Sequence, residues 1–173
     1  VSKIFGNQGR LVLDTGNFCT IAEHFWQAKT QDEFILAGNS RFMGTSIPMA
    51  IGAALADPNR PVIVGVGDGG ISMHLSEFRL IADECLPIII LLLSDGAFGS
   101  ITQRAIRDNL SLKALVRRNP SWKPVIENFG ITSFTVGNDL ELYDALDSWK
   151  PSTGQRFIEC RFSPEPYRNM VSN

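Results

Sequence analysis

The chain has 173 residues, which is the size of one ordinary domain and is enough to enclose a hydrophobic core. Hydrophobic residues make up 44% of it, charged residues 20%, and the formal net charge is -2, which excludes binding of nucleic acid or an anionic membrane through bulk positive charge. No apolar run approaches the ~20 residues of a membrane-spanning helix and the N-terminus lacks a signal-peptide pattern, so we expect a soluble cytoplasmic protein.

Apolar runs alternate with segments of helical period along the chain. The predicted strands are LVLD (11–14), FILA (34–37), PVIVGV (61–66), IIILLL (88–93), ITSFTV (131–136) and RFIECR (156–161). Helices are predicted near 18–28, 46–56, 72–84, 121–129 and 139–149, with Gly130 as a helix stop and NDLEL (138–142) as a capped helix start. Because the third and fourth runs are apolar without alternation, their strands are expected to be buried on both faces. This predicts an α/β fold: a three-layer, doubly wound, mainly parallel six-stranded sheet.

Other residue types give weaker indications. The three cysteines are odd in number and form no CxxC pair, so we predict core packing in a reducing compartment for Cys19, Cys85 and Cys160. His74, in SMHLSEF, is predicted on the helix that follows residue 71. The stretch 99–119 has no strand character, and its basic residues fit either a solvated helical face or a mobile cover over an anionic ligand; they are Arg104, Arg107, Lys113, Arg117 and Arg118.

Two predicted strands end on an acid beside glycine. Asp68 follows VIVGVG (62–67) and precedes Gly69 and Gly70, and Asp95 follows the strand that begins at position 88. The interval between the two acids holds a turn, a helix of about 13 residues and a return strand, which together make a βαβ crossover. Both acids are therefore expected at the carboxyl ends of parallel strands, the edge at which such sheets bind ligands.

Two neighbouring carboxylates at this edge predict a cation site. They repel each other unless a proton or a cation lies between them, and magnesium prefers oxygen ligands in an octahedral arrangement that phosphate often shares. The N–H groups of Gly69 and Gly70, and a helix starting near Ile71, would face an anion. The pattern favours a magnesium–diphosphate site; the alternative is a tight strand-to-helix turn in which Asp68 caps the helix.

The spacing of GDG (67–69) and SDG (94–96) resembles the cofactor motif of thiamine-diphosphate enzymes, whose second motif usually ends in two asparagines. The similarity covers most of the chain. DTGNF (14–18) resembles the family's early diphosphate-contacting turn, and GQRFIECRFSPE (154–165) resembles its closing strand. The segment FMGTSIPMAIGAALADPNRPVIVGVGDG (42–69) is similar to the block before GDG in the acetolactate-synthase-like branch.

The resemblance implies roles for individual residues. Asp68, Asp95 and the main-chain carbonyl of Ala97 would be the protein ligands of Mg²⁺; Asp95 stands where the family usually has asparagine, so it keeps an oxygen ligand and adds a negative charge. Met43 would be the bulky apolar residue that bends the cofactor, the alternative being ordinary core packing. The other implied cofactor contacts are Asn17, Gly67, Gly69, Gly70, Phe98, Gly99 and the carbonyl of Arg41.

One part of the family's site has no match in this sequence. The glutamate that activates the cofactor comes from a pyrimidine-binding domain, and no glutamate here lies in a matching context; those considered are Glu23, Glu33, Glu77 and Glu84. The resemblance therefore implies that 1–173 is a single diphosphate-binding domain, inactive alone. We expect it to pair with a pyrimidine-binding domain or subunit in a dimer or heterotetramer.

The implied chemistry is decarboxylation of a 2-oxo acid followed by protonation or carboligation, with thiamine diphosphate and Mg²⁺ as cofactors. Three functions stay open. The first is a subunit or domain of an acetolactate-synthase-like decarboxylase or carboligase, with Gln103, Arg104 and Arg107 as candidate substrate-side residues. The second is the beta subunit of a split sulfopyruvate- or phosphonopyruvate-type decarboxylase, whose anionic substrate the basic stretch 104–118 would hold. The third is a non-catalytic cofactor-binding module.

Overall fold

A computed structural model describes residues 5, 9–37, 40–115 and 120–165 of the chain. The strands in these ranges are β1 Arg10–Leu13, β2 Phe34–Leu36, β3 Val62–Gly67, β4 Ile88–Ser94, β5 Thr132–Val136 and β6 Arg156–Arg161. They form one six-stranded sheet in the order β2-β1-β3-β4-β6-β5, and every neighbouring pair is parallel. The predicted α/β fold is therefore confirmed, and the sheet is wholly rather than mainly parallel.

Helices connect these strands. They are α1 Asn17–Phe25, α2 Ser46–Ala56, α3 Asp68–Ile71, α4 Glu77–Asp83, α5 Gly99–Arg107, α6 Lys123–Glu127 and α7 Asp139–Asp147, with 3₁₀ turns at Gln31–Glu33 and Pro151–Thr153. Two predicted boundary signals are present: Gly130 adopts a φ of 81°, and the side chain of Asn138 accepts a hydrogen bond from the Glu141 N–H at 3.0 Å. None of the helices in the described ranges is long and apolar enough to cross a lipid bilayer.

The helix predicted near 72–84 is present only over Glu77–Asp83, so its predicted start is wrong. The chain instead forms the one-turn helix α3 at Asp68–Ile71, then turns, and starts α4 at Glu77. The hydroxyl of Ser72 donates to the carbonyl of Gly69 at 2.8 Å, and such a side-chain bond to the backbone competes with helix propagation. As a result His74 lies in the connecting turn rather than on a helix.

Both faces of the sheet are buried, which explains the unbroken apolarity of the central strands. One face carries Val64 and Ile90 in a core with α2 and α4, and the opposite face carries Ile63 and Ile89 in a core with α1 and α7. All four side chains are fully buried. Successive residues of a strand point to opposite faces, so burial on both sides leaves no position for the polar half of an alternating pattern.

The strand order places a crevice at one edge of the sheet. From β1 the chain moves outward to β2 and then returns to β3 on the other side of β1, after which β4 and β6 continue in the opposite direction. In doubly wound sheets ligands bind outside the carboxyl ends of the strands where the order reverses. Here that point lies between the ends of β1 and β3, which are followed by Asp14 and Asp68.

Candidate functional site

A cleft of about 230 Å³ opens at this reversal point. The segment after β1, the GDG turn and the segment after β4 form most of its lining. Of the residues that the sequence predicts for the site, ten line the cleft: Asn17, Met43, Gly67, Asp68, Gly69, Gly70, Asp95, Ala97, Phe98 and Gly99. The structure therefore brings together residues that lie as far apart in sequence as positions 17 and 99.

Asp68 connects the end of β3 to the segment after β4. Its Oδ1 accepts from the Ser94 hydroxyl at 2.8 Å, and its Oδ2 accepts from the N–H groups of Asp95 and Gly96, both at 3.0 Å. Burial raises the pKa of Asp68 and these three donors partly offset the rise, while the charge of Glu159 adds to it. Asp68 is the first residue of α3 and Gly67 occupies the N-cap position, so the alternative of a helix-capping aspartate is wrong.

Asp95 is half-buried and has a different environment. Its Oδ1 accepts from the Ala97 N–H at 3.0 Å, and its Oδ2 faces Gly99, where an added Cβ would collide with it. Burial raises the pKa of Asp95, the Ala97 N–H partly offsets this, and the nearby charge of Asp68 raises it further. Two carboxylates at this edge, supplemented by main-chain and phosphate oxygens, could hold a hard divalent cation.

The polar lining also offers a donor that could meet an anion. The side-chain nitrogen of Asn17 is buried and has no hydrogen-bond partner among the residues that the structure describes. It lies beside Gly99, at the first turn of α5. Because buried amide groups are normally paired, an unpaired donor at a cleft fits a bound oxygen-rich group such as a diphosphate.

Side chains that pack against Gly69 and Gly70 leave no room for a Cβ at either position. A Cβ on Gly69 would lie 2.8 Å from the sulfur of Met43 and 2.7 Å from the ring of Phe98. A Cβ on Gly70 would collide with the carboxylate of Asp14. The backbone of the GDG turn therefore lines the cleft, and the neighbouring side chains pack closely against it.

Met43 and Arg41 were both predicted for the site, but the structure separates them. Met43 is half-buried, lines the cleft and covers Gly69. Arg41 is exposed and does not line the cleft; it borders a small cavity on the other side of Asp14. Arg41 adopts a left-handed φ of 47°, a backbone conformation that favours glycine.

The predicted substrate-side residues lie away from the cleft. Its lining from this segment ends with Ile101, and Gln103, Arg104 and Arg107 do not reach it. Arg107 pairs with Asp108 at 2.9 Å and both side chains are exposed, as a solvated helical face would be. Arg117 and Arg118 lie outside the described residues. The part of α5 that lines the cleft thus contributes Gly99, Ser100 and Ile101 and no cation.

Sequence reasoning missed Asp14 as an individual residue. It follows β1 directly, is 1% exposed, and accepts hydrogen bonds from the N–H groups of Thr15 and Gly44. Burial raises its pKa, and these two N–H groups partly offset the rise. The sequence does contain a signal for Asp14, because an apolar run precedes it, as apolar runs precede Asp68 and Asp95.

Comparisons with known proteins agree with this geometry. The family described as "Thiamine pyrophosphate enzyme, C-terminal TPP binding domain" matches residues 14–160. The acetolactate synthase large subunit of Lactococcus lactis is 30% identical over 138 residues, which cover 79% of this chain and 24% of that protein. The mitochondrial acetolactate synthase catalytic subunit of Saccharomyces cerevisiae is 28% identical over 163 residues, which cover 92% of this chain and 24% of that protein.

A solved structure shares the fold. The thiamine diphosphate-dependent 4-hydroxybenzoylformate decarboxylase of Rhodococcus jostii RHA1 superposes with a TM-score of 0.85 at 20% identity, covering 94% of this chain and 31% of that one. The chain spans about a quarter of the length of the acetolactate synthase subunits that it matches. The family match over 14–160 extends across the GDG turn, Asp95 and the strands that hold them. The chain therefore belongs to the thiamine pyrophosphate enzymes, as a C-terminal TPP binding domain of that family.

Proposed function

We propose that this chain is the diphosphate- and magnesium-binding half of a 2-oxo acid decarboxylase or carboligase of the acetolactate synthase type. The observation that supports this most directly is the convergence on one cleft of Asp68, Asp95 and the Asn17 side-chain nitrogen, which is unpaired within the part of the chain that the structure describes. Thiamine diphosphate, when bound, supplies the electron sink for decarboxylation, and the protein's task is to bind, orient and shield it.

In the proposed site each residue has a physical role. Asp68 and Asp95, together with the carbonyl of Ala97, would hold Mg²⁺, and Asn17 would donate to the diphosphate. Met43 would support the cofactor from below. Among the described residues that line the cleft there is no glutamate, and we propose that a pyrimidine-binding domain or subunit supplies the activating one.

The test is calorimetric titration of the protein, assembled with its pyrimidine-binding half, with thiamine diphosphate in the presence and absence of Mg²⁺. We expect binding that requires Mg²⁺ and is lost in Asp68→Ala. Absence of binding in the complete assembly would contradict the proposal and favour a non-catalytic module.

Activity is then measured as carbon dioxide release over a panel of 2-oxo acids, including pyruvate and sulfopyruvate. Acetolactate formation from pyruvate would identify a carboligase, and an aldehyde product would identify a simple decarboxylase. The chain without its pyrimidine-binding half serves as the control and is expected to be inactive. Turnover by the isolated chain would contradict the proposed division of the site.

A further inference from the structure

Asp14 lies where three segments that line the cleft meet. Its backbone N–H donates to the carbonyl of Gly65 at 2.9 Å, which fixes the residue to β3 beyond the last residue of β1. Its side chain is 1% exposed and points away from solvent. A carboxylate this deeply buried needs hydrogen-bond donors to be tolerated, and its donors come from the backbone of neighbouring segments.

The bonds of the Asp14 carboxylate reach the turn that carries Met43. The Gly44 N–H donates to both carboxylate oxygens, at 2.9 Å to Oδ1 and 2.8 Å to Oδ2, and the Thr15 N–H donates to Oδ1 at 2.8 Å. Gly44 is 30 positions away in sequence and has a left-handed φ of 88°. The carboxylate is therefore the connection that holds this turn against the end of β1.

The same carboxylate also contacts α3, the one-turn helix that begins at Asp68 of the GDG motif. Oδ2 of Asp14 occupies the space that a side chain on Gly70 would need. The sulfur of Met43 packs against the neighbouring residue of that helix, Gly69. Asp14 thus fixes the distance between the turn and the helix, and that distance sets the position of Met43 above the GDG backbone.

We propose that Asp14 is a positioning residue of the cofactor site: by holding the Met43–Gly44 turn against α3, it places Met43 where the cofactor binds. The inference rests on the proposed function, since it concerns the site for thiamine diphosphate. It adds a residue that acts through Met43 and Gly70.

The test compares two variants of the protein assembled with its pyrimidine-binding half. Asp14→Asn keeps one oxygen that can accept from Gly44, and Asp14→Leu fills a similar volume without any acceptor. We expect Asp14→Leu to weaken the Mg²⁺-dependent affinity for thiamine diphosphate by about tenfold, the loss expected for a buried hydrogen bond to a charged group, and Asp14→Asn to stay within about threefold of the wild type.

A second measurement separates positioning from general stability. Hydrogen exchange of the segment 41–46 is expected to accelerate in Asp14→Leu and to remain slow in Asp14→Asn. The control is Ile126→Ala, a fully buried position on α6 that does not line the cleft. It is expected to lower the unfolding free energy while leaving both the cofactor affinity and the exchange of 41–46 unchanged.

The outcomes distinguish this inference from the proposed function. Failure of the wild-type assembly to bind the cofactor overturns the proposed function and the inference together. Wild-type binding combined with unchanged affinity in Asp14→Leu overturns the role of Asp14 alone. Equal losses of affinity in Asp14→Leu and Ile126→Ala would assign the effect to stability and would also overturn it.

Discussion

Asp68 and Asp95 are carboxylates at the same sheet edge, but they accept hydrogen bonds from different parts of the chain. Asp68 accepts one side-chain hydrogen bond from the last residue of β4 and two main-chain bonds from the segment after it, whereas Asp95 accepts one from Ala97, two residues along the chain. Removing Asp68 therefore leaves donors in another segment without their acceptor. Removing only the charge of Asp95 relieves repulsion at little cost in hydrogen bonding.

This difference predicts opposite effects on the metal-free protein at pH 7. Asp68→Ala deprives the Asp95 and Gly96 amides of their acceptor and is expected to lower the unfolding free energy by about 2 kcal/mol. Asp95→Asn keeps an oxygen for the Ala97 N–H and removes a partly buried charge beside Asp68, so it is expected to raise the unfolding free energy. Urea unfolding without metal measures both changes, and a loss of stability in Asp95→Asn would contradict the account.

At the scale of single residues, the sequence predicted those positions that follow directly from where a strand ends. The meeting of Asp68 and Asp95 follows from two strands, one crossover and the shared edge of a parallel sheet. The bond between Asp14 and Gly44 could not be predicted in this way, because it joins a strand end to a turn 30 positions later. No local pattern specifies such a pairing.

Among the secondary-structure elements, Gly130 and Gly52 are both exposed. Substitutions at these two positions can therefore show the effect of backbone conformation without a change in side-chain packing. Gly130 ends the segment after α6 with a φ of 81°, and Gly52 lies inside α2. A Cβ at either position would meet no atom within 4 Å. Any effect of alanine at these positions therefore comes from the backbone and not from a collision.

The pair predicts changes of opposite sign. Gly130→Ala forces a left-handed conformation on an L-residue and is expected to lower the unfolding free energy by about 1 kcal/mol. Gly52→Ala reduces the freedom of the unfolded chain at a helical position and is expected to raise it by about 0.5–1 kcal/mol. Urea unfolding of the two variants tests this, with cofactor affinity unchanged in both as the control. Destabilisation by Gly52→Ala would show that its helix position is strained.

Element boundaries were predictable where capping residues mark them, whereas the burial of a single polar residue depends on contacts between distant segments. Gly130 and Asn138 end and begin their segments as their residue types indicate. On β6 the run RFIECR predicted a strand but not the burial of Glu159, which is 0% exposed. Its Oε2 accepts from the Ser121 hydroxyl at 2.5 Å and the Trp122 N–H at 3.2 Å, both brought to it by the fold.

For the molecule as a whole, the acids fall into two groups that respond to pH in opposite ways. Burial raises the pKa of Asp14, Asp68 and Asp95. A hydrogen bond from Thr30 and then one from Arg60 lower the pKa of Asp32, and Arg107 lowers that of Asp108. The first group favours the folded state at acidic pH and loses this contribution as the pH rises through the raised pKa values. The second group contributes above the ordinary carboxyl pKa and loses its contribution as the pH falls.

The direction in which the first group's contribution to stability changes with pH can be measured with one substitution, Asp95→Asn. Between the ordinary pKa of 3.8 and the raised pKa of Asp95, the folded state keeps a proton that the unfolded chain has lost. The stabilisation by Asp95→Asn is therefore expected to be largest at pH values above the raised pKa of Asp95 and to disappear as the pH falls below the ordinary value of 3.8. Urea unfolding across this range, with Asp147→Asn on the exposed surface of α7 as the control, measures it. A difference between Asp95→Asn and wild type that stays constant with pH would contradict the cause assigned to it.

The overall architecture was the most predictable feature, because a parallel sheet buried on both faces leaves a distinct pattern in the sequence. The cleft followed from that architecture, since the reversal of strand order fixes where the edge opens. Its detailed lining did not follow. Ser100, Ile101 and Phe162 reach the cleft only through the course of the segments after β4 and β6.

The bonds that Asp68 makes to Ser94, Asp95 and Gly96 have an evolutionary consequence. Selection for a stable fold would keep this aspartate whether or not the chain takes part in catalysis, because its bonds join the end of β3 to the end of β4 and the residues after it. An intact GDG signature in a genome is thus weak proof of a working enzyme. The side-chain nitrogen of Asn17 has no hydrogen-bond partner within the described residues, so this structural constraint does not apply to it, and its retention is the stronger indication of a bound ligand.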